Sequence, residues 1–234
     1  AKLGKSKEKT HSRHVVAITG GVGTIGIEIA KQFSSNGAEI ILLDKNKELL
    51  EKRSNEIGKN CLGIHCDLTI KSEIVKAFNS ISSTFGGLDI LILNAGIALP
   101  GDISDLKEQT LRDSFDINFF SQQNASQEAM KIFKAQDSNN GKWLIGGQLL
   151  FNISKQAINP GRGFGAYGLS KAALLGLMKQ YSLEEGENGI RSNGINADRI
   201  RSGILTEDMI KERSIARGLG EEEYMSGNLL KSEV

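Results

Sequence analysis

Residues 15–33 read VVAITGGVGTIGIEIAKQF, an apolar run, a cluster of glycines and then the opening of an amphipathic helix. Gly21, Gly23 and Gly26 satisfy the spacing G-x-G-x-x-G. In a strand–turn–helix unit the first glycine permits a tight turn. The second lets backbone approach a pyrophosphate, and the third lets the helix pack on its strand. The start of such a helix offers unpaired N–H groups and the positive end of its dipole to an anion. This unit demands a parallel sheet in which each helix folds back over its strand.

The rest of the chain repeats that alternation. Apolar runs fall near 14–19, 39–43, 61–66, 89–93, 147–153 and 190–195, with helical patterns near 24–36, 46–57, 70–85, 104–135 and 165–186. Continuous apolar strands alternating with helices predict an α/β fold, a doubly wound parallel sheet covered on both faces. Right-handed crossovers and the dinucleotide pattern give the strand order 3-2-1-4-5-6. Asp44 closes the second apolar run, AEIILLD. A carboxylate there accepts the ribose hydroxyls of NAD and repels a 2′-phosphate, and the glycine turn carries no Lys or Arg to attract one. Lys45 follows Asp44 directly, but NAD is the expected cofactor.

Bulk properties narrow the function classes. The chain has 234 residues, 39% of them apolar, enough for one sizeable domain. Residues 1–13, AKLGKSKEKTHSR, have no hydrophobic period and read as a basic tail or linker ahead of a single domain at 14–234. A formal net charge of +1 gives no case for a nucleic-acid partner. No apolar stretch approaches the roughly 18–20 residues that cross a bilayer, and no signal peptide is visible. Cys61 and Cys66 fall on one predicted strand with side chains on opposite faces, which suits free thiols in a reducing cytoplasm. The histidines, His11, His14 and His65, have no metal-ligand spacing with acids or cysteines. His11 and His14 are read as part of a flexible tail, and no metal is expected.

Tyr167 and Lys171, four positions apart in AYGLSKAALLGLMKQYSL, stack on one helical face. An ammonium beside the ring favours the phenolate and should lower the tyrosine from about 10 toward a useful working range, making Tyr167 a general acid/base.

Taken together, these residues resemble the short-chain dehydrogenase/reductase family over about residues 14–205. The opening motif falls on Thr19, Gly20, Gly21, Val22, Gly23, Thr24, Ile25 and Gly26, with Thr24 where the family has a glycine. The resemblance implies that Gly20, Gly21, Gly23, Thr24, Ile25 and Gly26 cradle the cofactor. Asp44, Asp67 and Leu68 in CDL, and Asn94, Ala95 and Gly96 in LILNAG would also line the cofactor site. Asn118 in FDINFF, Ser154 in FNIS, Tyr167 and Lys171 match the catalytic positions. Tyr167 would carry a proton, Lys171 would bind the nicotinamide ribose, Ser154 would steady the reacting oxygen, and Asn118 would hold a relay water. In a plainer reading Ser154 caps a strand end and Asn118 marks a helix kink, its amide satisfied by backbone.

After the sixth strand the family's N-x-x-x-P-G-x-x-x-T window reads NGINADRIRS. Ala197–Asp198 stands for Pro-Gly, and Ser202 for the threonine at the nicotinamide amide. Arg199 and Arg201 fall near the cleft mouth. Either they meet a substrate carboxylate or phosphate, or they pair with Asp198, Glu207 or Asp208. Lys155 and Gln156 are further substrate candidates. The segment 137–147, with Trp143, reads as a polar insertion, and the family's seventh strand has no counterpart before KSEV, so that either the sequence is incomplete or the sheet ends at strand six. A sheet that ends at strand six leaves an edge to be covered.

The stretches GGQLLFNISKQAINPG, NADRIRSGILT and ARGLGEEEYMSGNLL resemble, more narrowly, the dehydrogenase half of two-domain proteins. In these a rhamnulose-phosphate-type aldolase precedes a dehydrogenase assigned to lactaldehyde. That resemblance implies a small hydroxylated aldehyde as substrate, deoxysugar catabolism, and an aldolase domain fused ahead of the chain, whereas removal of an initiator Met explains the Ala1 start more simply. A secondary-alcohol or polyol dehydrogenase is the alternative enzyme, and an NAD-sensing regulator the non-enzymatic one. The helices at 104–135 and 165–186 carry more apolar residues than one sheet-facing stripe needs. Family likeness makes them the expected contacts of a homodimer or homotetramer.

Overall fold

The computed structural model describes residues 9–137 and 146–228. Its six parallel strands are β1 (Val15–Thr19), β2 (Glu39–Asp44), β3 (Cys61–His65), β4 (Ile90–Leu93), β5 (Gln148–Asn152) and β6 (Arg191–Ile195). They lie in the order β3-β2-β1-β4-β5-β6, as the sequence predicts. The chain proceeds outward from β1 to one edge, then returns to β4 and proceeds to the other. The crevice beyond the C-terminal ends of β1 and β4 is therefore the switch point where doubly wound sheets bind ligands.

The two sheet faces follow from strand periodicity. Val15 and Ala17 join one core with Ile41, Leu43, Leu91, Leu93 and Phe151. Val16 and Ile18 point the other way and pack with Ile40, Leu42, Ile90 and Ile92. Helices α1 (Thr24–Ser35) and α2 (Lys47–Ile57) cover the second face. The first is covered by α3 (Lys71–Phe85), α5 (Ser121–Asp137) and α6 (Gly165–Glu185). Ile74, Ala77, Phe78 and Ile81 show the stripe that binds α3 to the sheet. Cys61 packs into one core and Cys66 into the other, so the two free thiols do lie on opposite faces. Burial pushes them up to about 11 and about 12.

Helix α4 (Glu108–Phe115) runs into α5 through a π-helical turn at Asp116–Phe120, where the Ser121 N–H reaches back to the Asp116 carbonyl. The sequence reading treats this stretch as one helix, because no Gly or Pro between residues 108 and 137 marks an interruption. Two helices after β6 were also not anticipated, α7 (Glu207–Ile215) and α8 (Glu221–Met225). They enclose a small core of their own, Leu205, Ile210, Tyr224 and Met225.

At the other end, the part of the expected tail that is described is not loose. His11 N–H donates to the Asn36 carbonyl at 3.0 Å, and its ring lies 4.8 Å from that of Phe33 at the end of α1. His11 and His14 approach each other at Nδ1 to 3.2 Å. The predicted insertion around Trp143 and the closing KSEV lie outside the described residues. No helix among the described residues is long and apolar enough to cross a membrane.

Candidate active site

The floor of the site is the turn after β1. Its left-handed residue is Gly20, at φ +61°, and a Cβ there would come within 2.8 Å of the Ala95 Cα. This corrects the assignment of the tight turn to Gly21, whose own requirement is space against Leu42. Gly26 has the role expected of the third glycine, since a Cβ would press on Gly20 O at 2.5 Å. Gly23 differs from both. It is exposed, and a Cβ there would make only an ordinary 3.4 Å contact, so the fold itself does not need glycine at this position.

Gly23 is also the N-cap of α1, and it supplies no side-chain cap to a first turn that holds no acidic residue. The opening N–H groups of Thr24, Ile25 and Gly26 are thus left to an external acceptor. Thr24 is exposed and Ile25 half-buried at this end. A bare backbone cradle at a helix start, beside the sheet's switch point, fits the diphosphate of a nicotinamide dinucleotide.

Further residues fix the walls. Asp44 ends β2, half-buried, with Oδ1 accepting from Asn46 N–H at 3.1 Å. Asp67 follows β3, and its Oδ1 accepts from both the N–H and the hydroxyl of Thr69, which hold its carboxyl below the usual value. Leu68 beside it is buried in the core. Asn94 ties three strands together: it donates to the carbonyls of Thr19 and Gly20 at 3.2 Å, and accepts from Asn152 at 2.9 Å. The buried Thr19 hydroxyl accepts from the N–H groups of Asn94 and Ala95 at 2.9 and 3.1 Å. Thr19 was quoted in the opening motif without a role, and it is the joint between the glycine turn and the loop after β4. Gly96 completes that loop, and a Cβ there would meet Asn118 Oδ1 at 2.8 Å.

The four expected catalytic residues converge. Tyr167 and Lys171 share a face of α6, with Nζ 5.7 Å from the centroid of the tyrosine ring. Ser154 lies just beyond β5, close enough to the tyrosine hydroxyl to favour its ionised form. Its Oγ also accepts from Gln156 N–H at 3.2 Å, capping the 3-10 turn Lys155–Ala157, so Ser154 both caps and reaches the site. Lys171 is buried and donates to the Asn152 carbonyl at 2.8 Å.

Asn118 sits in the π-helical turn. Its Oδ1 accepts from Ile97 N–H at 2.9 Å, while Nδ2 lies 3.0 Å from the Ile97 carbonyl and 3.1 Å from Ser170 Oγ. The plainer expectation therefore holds for its side chain, which binds backbone. Ser170 in turn donates to the Tyr167 carbonyl at 2.9 Å. Neither Ser170 nor Asn152 was singled out from sequence. The signal was there in proximity, since Ser170 follows Tyr167 by one helical turn and Asn152 precedes Ser154 by two residues.

The electrostatics differ from expectation in one respect. Burial pushes the Tyr167 phenol up, and the neighbouring Ser154 hydroxyl opposes that, while the Lys171 charge is not among the causes. Burial also pulls Lys171 down to about 8. A dry site penalises both ions, so the expected lowering of tyrosine by lysine is not realised within the polypeptide.

At the mouth, Lys155 pairs with Asp198 at 3.4 Å and Gln156 Oε1 accepts from Gly161 N–H at 2.6 Å. Arg199, at φ +50°, donates to the Tyr224 carbonyl at 2.6 Å and lies over that ring. Arg201 pairs with Glu207. Ser202 stabilises its own turn, its Oγ accepting from Ile204 N–H at 3.3 Å.

Comparisons with known proteins agree with this geometry. The profile of the family described as short chain dehydrogenase matches residues 14–213. The uncharacterized oxidoreductase YuxG of Bacillus subtilis is 32% identical over 91% of this chain, which spans 31% of that protein. Short chain aldehyde dehydrogenase 1 of Euphorbia lathyris is 32% identical over 78% of this chain, which spans 62% of it. The chain thus covers less than two thirds of either relative. Among solved structures, a 3-ketoacyl-(acyl-carrier-protein) reductase from Brucella melitensis complexed with NADH superposes with a TM-score of 0.80. It is 23% identical, with 94% of this chain and 91% of that one covered, a likeness of fold.

Proposed function

Because the chain belongs to the short-chain dehydrogenase/reductase family of nicotinamide-dependent oxidoreductases, we propose that it moves hydride between NAD and a small hydroxylated aldehyde or alcohol, with Tyr167 as acid/base. The observation that carries this reading is the convergence of Ser154, Tyr167 and Lys171, with the Lys171 ammonium 5.7 Å from the centroid of the tyrosine ring and Ser154 favouring the phenolate. When bound, the dinucleotide supplies the hydride donor or acceptor. Tyr167 holds the proton at its hydroxyl oxygen, and Ser154, fixed by its backbone cap, steadies the reacting oxygen. Lys171 uses one donor on Asn152 and keeps two for ribose hydroxyls. NAD is preferred over NADP because the half-buried Asp44 carboxylate ends β2, where it would repel a 2′-phosphate.

Residues 14–234 act as the catalytic domain behind the basic segment 1–13, whose His11 packs on α1. Lactaldehyde is a small neutral member of the proposed class. The narrower sequence resemblance also supports a place beside an aldolase in deoxysugar catabolism, and YuxG is long enough to hold a second catalytic unit. We place the protein in the cytoplasm, as a homodimer or homotetramer without a nucleic-acid partner. A secondary-alcohol or polyol dehydrogenase uses the same four residues, whereas an NAD-sensing regulator needs no Ser154–Tyr167 pair. Absorbance at the reduced-nicotinamide band, followed with a panel of hydroxyaldehydes, alcohols and polyols, tests the reading. Turnover lost in Tyr167→Phe supports it, and NADH binding without turnover of any member favours the regulator.

A further inference from the structure

Four arginines follow β6, and three are engaged. Arg199 and Arg201 meet carboxylates, and Arg217 donates to the Arg213 carbonyl at 3.2 Å while lying over Tyr224. Arg213, in the last turn of α7, is different. It is half-buried, its Cζ lies 4.0 Å from the centroid of Phe164, and its guanidinium meets no carboxylate among the described residues. Phe164 is buried at the N-cap of α6, and its ring is 6.2 Å from that of Tyr167. The guanidinium therefore stands at most those two distances, added, from the catalytic ring. None of its nitrogens is a sealed, unpartnered atom, so its donors remain open to solvent or a ligand.

A guanidinium resting on an aromatic face is pre-oriented, while its in-plane N–H fork stays available for a carboxylate or phosphate. We propose that Arg213 binds an anionic group carried by the substrate a few bonds beyond its reacting carbon. This rests on the oxidoreductase reading and narrows it: the preferred members of the proposed class bear a carboxylate or phosphate, and neutral lactaldehyde is a poor one. The arginines expected from sequence to meet such a group, Arg199 and Arg201, hold the structure after β6 instead.

The test uses matched pairs at saturating cofactor: glyceraldehyde with glyceraldehyde 3-phosphate, and 1,3-butanediol with 3-hydroxybutyrate. The two pairs separate phosphate from carboxylate as the group recognised. At least one charged member should exceed its neutral partner tenfold or more in kcat/KM. Arg213→Gln should raise KM for the charged member at least tenfold and leave the neutral one within twofold, and Arg213→Lys should recover part of the loss. Equal kcat/KM within both pairs overturns the proposal, as does an Arg213→Gln effect equal on both members, the mark of a merely structural pin. If no Tyr167-dependent turnover is seen with any of the four while NADH still binds, both this proposal and the reading beneath it fall.

Discussion

Lys171 Nζ donates to the main-chain carbonyl of Asn152 at 2.8 Å, and this bond anchors α6 to the C-terminal end of β5. The Asn152 side chain continues to Asn94 at 2.9 Å, and Asn94 reaches the carbonyl of Gly20. One chain of hydrogen bonds thus links the glycine turn to the lysine beside Tyr167. The lysine is buried and lies at about 8, well below the usual 10.5.

That depression makes a stability prediction. Below pH 8 Lys171 is charged in the folded and unfolded states alike, and its burial penalty is fully present. Between about 8 and 10.5 the folded protein releases the proton first, so stability attributable to this group rises with pH. Wild type should gain up to about 3 kcal/mol relative to Lys171→Met across that window, at about 1.4 kcal/mol per unit. Urea denaturation at several pH values measures it, and parallel curves for the two proteins would refute the buried charge.

Tyr167→Phe removes the proton carrier and keeps the ring against Phe164 and Lys171. Turnover should fall by at least about 10²-fold while NADH still binds. Because burial raises the Tyr167 phenol, oxidation, which needs the phenolate, should accelerate toward alkaline pH, and reduction should not. Wild-type rates in the variant would disqualify Tyr167 as acid/base.

Asp44 should give NADH an affinity at least about tenfold above NADPH, or about 1.4 kcal/mol. Its carboxylate already holds the turn into α2 through Asn46, so Asp44→Ala should narrow the preference and also loosen that turn slightly. A fluorescence titration with equal affinities for the two cofactors would refute the assignment.

The sheet and the face shared by Tyr167 and Lys171 were legible because local patterns determine them. Val15, Val16, Ala17 and Ile18 alternate between two buried cores, which only a doubly covered strand can do. Tyr167 and Lys171 meet because helical geometry alone brings them together. What stayed hidden depends on tertiary contacts. Gly20 takes the left-handed turn because Ala95, far along the chain, closes over it. The wide turn at Asn118 depends on Ile97, which binds its amide from another loop. Helix α7 carries Glu207, Asp208, Lys211, Glu212 and Arg213, and its few apolar residues are buried by Leu205, Leu219 and α8.

Association is expected through α5, α6 and the turn before α5. Phe120, Leu169 and Leu183 are exposed there, 51%, 49% and 76% respectively. A two-fold pairing of those surfaces would cover them. Light scattering at micromolar concentration should give a dimer or tetramer, and a monomer would contradict the assignment.

Arg199→Ala and Arg201→Ala should affect stability rather than selectivity. Arg201 and Glu207 are both largely exposed, so their ion pair contributes at most about 1 kcal/mol. Arg199 is only 20% exposed, donates to the Tyr224 carbonyl and lies 4.9 Å from its ring centroid. Losing it strips a hydrogen bond and a cation–π contact from the small core of α7 and α8, together about 1–2 kcal/mol. At this chain length that lowers Tm by roughly 2–8 °C. The ratio of kcat/KM between charged and neutral substrates should stay within twofold in both variants. A change in that ratio at unchanged Tm would move the anion contact from Arg213 to the arginine substituted.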